Sequence, residues 1–111
     1  MKFLDSVKLK DLSLFCKRWK VHEFAVFGSV LREDFQPESD IDVLVSFRPS
    51  AEWGLFDHVQ MQAELESLFG RQVDLVTRRA LEQTQNHILR ERILNSAKII
   101  FSEDEAAYAE R

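Results

Sequence analysis

The chain has 111 residues, which bounds it to one domain spanning residues 1–111. Hydrophobic residues make up 45% and charged residues 31% of it, and nine Phe with two Trp supply aromatic mass for a core. Fifteen Lys and Arg against nineteen Asp and Glu leave a net charge of −4. That argues against a stand-alone nucleic-acid binder, which grips phosphates with Lys and Arg. A small anionic ligand held through metal ions stays compatible with it. Cys16 is the one cysteine, so no intrachain disulfide can form, as befits a reducing cytoplasm. No apolar run approaches the roughly 18 residues that span a membrane. Met1 to Asp5 carries charge where a signal peptide needs its apolar region. The expectation is a cytoplasmic protein with no membrane segment.

In chain order, Ser6 to Trp19 reads as a helix, with Leu9, Leu12, Phe15, Cys16 and Trp19 at three- and four-residue steps. Cys16 reads as a small buried hydrophobe. Glu23 to Phe27 is a strand whose nearly continuous apolar run suggests burial on both faces. Gly28-Ser29 then turns into a short helix at Val30-Leu31-Arg32, and Phe35 to Ser39 is a loop. Asp40 to Phe47 is a second strand, with Ile41, Val43, Val45 and Phe47 on one face. Gly54 to Phe69 is an amphipathic helix with Leu55, Phe56, Val59, Ala63, Leu65, Leu68 and Phe69 available to a core, and Gly70 caps it. Val73 to Thr77 is a third strand. Arg79 to Leu94 is helical with a break near Thr84–Asn86, and Ala97 to Phe101 is a short apolar run suited to an edge strand. The acidic tail from Ser102 either frays or forms one short helix. Helices interleaved with strands define an α/β or α+β fold built on one small mixed sheet flanked by helices.

Three features converge on one chemistry. Gly28-Ser29 ends a strand and opens a helix, where glycine permits close backbone approach and the helix start suits a phosphate. Alone, a Gly-Ser pair after a strand is most often only a turn. Asp40 and Asp42 stand at i and i+2 of a strand and so project from one face. Their repulsion is relieved by a hard divalent cation, and taken alone the pair reads equally as a solvated strand start. Asp74 interrupts the apolar run Val73-Asp74-Leu75-Val76. A buried carboxylate there needs a partner, and it faces the same site if its strand lies beside Asp40–Phe47. The alternative is an exposed edge-strand face.

The stretch from Phe27 to Phe35, followed by Ser39-Asp40-Ile41-Asp42-Val43-Leu44-Val45, resembles the signature of the DNA polymerase β-like nucleotidyltransferase superfamily: Gly-Ser, a spacer, Asp-x-Asp, then a third acid on a later strand. Length and the Val73-Asp74-Leu75-Val76 strand narrow the resemblance to the minimal nucleotidyltransferases, the MntA-like antitoxins. It covers Phe24 to Leu81, and more loosely the whole chain. Leu31 and Glu33 depart from it, since members often carry a small residue and a glycine there.

The resemblance implies an antiparallel pairing of strands one and two that brings Gly28-Ser29 beside the first carboxylates. It implies that Asp40, Asp42 and Asp74 are catalytic and bind two Mg²⁺ ions, and that Gly28 and Ser29 hold the triphosphate of ATP. Arg32 would touch phosphate or a carboxylate, or else be a plain surface arginine. It further implies a HEPN-type RNase toxin as partner, with AMP moved from ATP to a tyrosine hydroxyl of that toxin and pyrophosphate released. A chain of this length has no room for an acceptor-holding domain, so the acceptor is expected on a partner. Two rival readings are an antitoxin that acts by contact alone and a transferase whose small-molecule or RNA acceptor sits on a separate helical subunit. Trp53 reads as a partly buried core residue, with stacking on adenine as the alternative. His22, His58 and His87 lack metal-ligand spacing, and Arg78-Arg79 and Arg90-Glu91-Arg92 read as solvated helix faces.

Overall fold

The computed structural model describes residues 9–28 and 40–103. The Ser6 cap, Ser29 and Arg32 with the short helix expected there, and the tail beyond residue 103 lie outside the described residues. Within them run α1 (Leu9–Arg18), β1 (Val21–Phe27), β2 (Ile41–Phe47), α2 (Leu55–Phe69), β3 (Val73–Thr77), α3 (Arg78–Gln83), α4 (His87–Ser96) and β4 (Lys98–Ser102). The expected break at residues 84–86 is real. Asn86 accepts from the Leu89 N–H and starts α4, while Thr77 accepts from the Ala80 N–H and starts α3.

The four strands form one sheet in the order β3-β2-β1-β4. β1 pairs antiparallel with β2 and β4, and β2 pairs parallel with β3. The sheet is therefore mixed, with two crossovers among the described residues: β2–α2–β3 between neighbouring strands, and β3–α3–α4–β4 from one edge of the sheet to the other. Strand parity sorts the side chains into two layers. Ile41, Val43 and Val45 join Val73, Leu75, Phe24 and Val26 on one face, under α1 and α2. Ala25 and Leu44 face the other way and pack with Leu81 of α3, against which Ile93 and Leu94 of α4 also rest. β1 is thus covered on both faces, as its continuous apolar run suggested.

On α2 the inner stripe is Met61, Leu65 and Phe69 at four-residue steps. This corrects the expected core face. Leu55, Phe56 and Val59 fall off that stripe and are exposed, Phe56 at 89%. Gly70 ends the helix as expected, with φ +69° and its N–H on the Glu66 carbonyl. Trp53 belongs to the core layer, its ring edge-on to Trp19 at 5.1 Å and its Nε1 donating to the Trp19 carbonyl at 2.8 Å. Cys16 is fully buried, which pushes its thiol up to about 12. No helix among the described residues is long and apolar enough to cross a membrane.

Candidate active site

The pairing registers bring the sequence-predicted carboxylates together at one end of the sheet. β1 ends where β2 begins, so Phe27 stands opposite Asp42. In the parallel pair Asp42 stands opposite Asp74. The row Phe27–Asp42–Asp74 therefore crosses three strands, and its side chains share the face of Ala25, Leu44 and Val76. Asp40 lies two residues before Asp42, on the same parity and exposed. The backbone holds this end firmly. The Ile41 N–H donates to the Gln72 carbonyl at 2.9 Å, and the Val73 N–H donates to the Glu66 carboxylate of α2 at 3.1 Å.

Gly28 follows the row directly, with φ +77°. A Cβ added there would overlap Asp42 Oδ2. Glycine is therefore required twice at this position, by its left-handed backbone and by the carboxylate lying against it. Ser29 and Arg32 lie outside the described residues, so of the expected phosphate-holding group only Gly28 is placed.

The electrostatics of the row are costly. The Asp42 carboxyl is held above the ordinary aspartate value, first by loss of water around it, then by the neighbouring Asp74 and Asp40 charges. Like charges placed opposite each other on a sheet face destabilise it. Among the described residues no three His, Cys, Asp or Glu groups are gathered into a ready-made metal cage. The donors at this end are nonetheless all carboxylate oxygens, and the glycine backbone at residue 28 lets the Asp42 carboxylate lie directly against it. That suits Mg²⁺, which takes one or two carboxylates and completes its octahedron with substrate phosphates and water.

Glu66 was not singled out by sequence, although its carboxylate fixes the residue before Asp74. The signal was faint: an acid in the last turns of α2, where the helix dipole favours a cation. His22, His58 and His87 do not join the carboxylate end. His22 pairs with Glu103, and His87 contacts Arg90.

The comparisons with known proteins agree with this geometry. Residues 10–101 match the family model described as Nucleotidyltransferase domain, and the chain belongs to that family. It is 33% identical over 94 residues to "Putative protein adenylyltransferase MJ0435" of Methanocaldococcus jannaschii, covering 85% of this chain and 94% of that one. It is 38% identical over 68 residues to Protein adenylyltransferase MntA of Thermococcus cleftensis, covering 60% of this chain and 65% of that one. Its fold also matches the structure of a tri-AMPylated Shewanella oneidensis HEPN toxin in complex with MNT antitoxin, at a TM-score of 0.58 and 17% identity, covering 90% of this chain and 74% of that one. The mixed sheet, the antiparallel β1–β2 pair and the nucleotidyltransferase class expected from sequence are thus borne out.

Proposed function

We propose that this nucleotidyltransferase is the antitoxin of a toxin–antitoxin pair, and that it transfers AMP from ATP to a tyrosine hydroxyl of a HEPN-type RNase toxin. The observation that carries the reading is the row of carboxylates from two strands, pressed together at an electrostatic cost and flanked by an obligatory glycine. Such a cost is kept where charge has work to do on a ligand. The adenylyltransferase names of two relatives, and the AMPylated toxin bound in a protein of the same fold, support the choice of donor and acceptor.

Asp40, Asp42 and Asp74 would hold Mg²⁺, two ions in the full site, which when bound neutralise the substrate phosphates and the developing charge on the attacking and leaving oxygens. Gly28 and Ser29 take the triphosphate, and Arg32 a phosphate oxygen. Asp74 is exposed at the end of the row and accepts the tyrosine proton. The tyrosine oxygen then bonds to the α-phosphorus, the bond from that phosphorus to the bridging oxygen breaks, and pyrophosphate leaves with its electron pair. The net charge of −4 accords with this, since phosphates would be carried by metal rather than by a basic surface. AMP on the toxin adds bulk and negative charge, which repels an RNA substrate.

The test is co-expression with a HEPN-type toxin. The Asp40→Asn/Asp42→Asn variant should still associate with the toxin but fail to restore growth. Full rescue by that variant would assign neutralisation to contact alone.

A further inference from the structure

The carboxylates occupy the end of the sheet where β2 and β3 begin. A second cleft, of about 410 Å³, opens at the other end, where both strands finish. It lies between the loop after β2, the first turn of α2 and the start of α3. Asp42 and Ser46 are four residues apart on β2, so the two places are separated by about 13 Å along the strand. In α/β units, ligands gather outside the carboxyl ends of parallel strands, and β2–α2–β3 is such a unit. The volume is in the range of small-ligand pockets, roughly 300–1,000 Å³.

The lining is basic in an acidic protein. Arg48, Arg78, Arg79 and His58 border the cleft, and Glu82 is its single carboxylate among the described residues. Glu82 Oε2 lies 3.4 Å from Arg78 Nε, and Arg48 Nε reaches Glu103 at 2.8 Å. Arg79 is exposed and has no ion pair among the described residues. Ser46 Oγ and Arg78 Nε are both buried without a hydrogen-bond partner. Both residues border this cleft, and both also border a smaller one that they share with Glu23, Ala25 and Leu44. The Ser46 hydroxyl without a partner and the exposed Arg79 guanidinium without a counter-charge leave a deficit that an oxyanion fills.

We propose that this cleft binds a small phosphorylated ligand, separately from the carboxylate end. The proposal does not rest on the adenylyl-transfer reading. Its chemistry is that of a phosphoryl oxyanion, either free or carried by a nucleoside.

The test titrates the full chain in chelator with pyrophosphate and, in a second arm, with AMP, following amide ¹H–¹⁵N shifts. Without divalent cations the carboxylate end repels both anions. The expected result is saturable shifts at residues 46–48, 54–58 and 77–79, retained in Asp42→Asn. Affinity in Arg48→Ala/Arg79→Ala should fall at least about tenfold, because guanidinium–phosphoryl bonds are charge-assisted. Arg79→Ala alone serves if the double variant fails to fold, since Arg79 has no ion-pair partner to lose within the described fold. Saturation by pyrophosphate only assigns a free polyphosphate, and saturation by AMP assigns a phosphate ester. Absence of saturable shifts at these residues with either ligand, or affinity unchanged in the arginine variants, overturns the proposal.

Discussion

At the scale of single residues, Asp42 carries the most consequence. Its carboxyl is held above the ordinary value by dehydration and by Asp74 and Asp40. A carboxylate raised in this way costs stability where it is ionised, above its folded pKa. That cost fades as pH falls through the folded value and both states take up the proton. Asp42→Asn should therefore stabilise the metal-free protein at neutral pH by roughly 0.2–1 kcal/mol, the scale of facing like charges, and the gain should vanish in acid. Urea unfolding at the two pH values checks this, and equal midpoints for both proteins at neutral pH would contradict it. Gly28→Ala meets a left-handed backbone, at about 1–2 kcal/mol, and pushes the Asp42 carboxylate aside. Adenylyl transfer by that variant should drop far more than its stability does, as activity and melting measured on one preparation will show. Cys16, with its thiol pushed up to about 12, should resist thiol reagents until the protein unfolds.

At the scale of elements, α2 separates what the sequence discloses from what it withholds. The helix, its glycine cap and the two flanking strands follow from period and punctuation. Which of its apolar residues face inward does not, because more of them are present than one stripe can use. Leu65→Ala should cost about 2–5 kcal/mol, whereas Phe56→Ala should stay within about 0.5 kcal/mol. Similar denaturation midpoints for the two variants would reverse that assignment. The carboxylate row was legible for a simple reason. Strand parity places Asp40 and Asp42 on one face, and a parallel neighbour beginning with Val73-Asp74 repeats the pattern of Ile41-Asp42. The basic cleft was not legible, since only the parallel register of β2 and β3 brings Ser46 and Arg78 to one lining. Arg78, read from sequence as part of a solvated helix face, is half-buried. Glu66 escaped for the same reason: its hydrogen bond to the start of β3 is a product of the crossover, not of local pattern.

At the scale of the whole molecule, the sheet has two unlike ends. One gathers acid groups at the starts of β2 and β3, and the other gathers guanidinium groups where those strands finish. In the proposed reaction the carboxylates share Mg²⁺ with the substrate phosphates, so nucleotide and metal should bind together. ATP with Mg²⁺ should raise the melting temperature of the wild-type chain, and neither alone should do so to the same degree. The central claim is that the carboxylate row performs adenylyl transfer to a partner protein. Intact mass spectrometry of a HEPN-type toxin incubated with this chain, ATP and Mg²⁺ tests it most directly. The account predicts adenylyl additions on the toxin with the wild-type chain and none with Asp40→Asn/Asp42→Asn. An unmodified toxin held in a stable complex by the wild-type chain would contradict it.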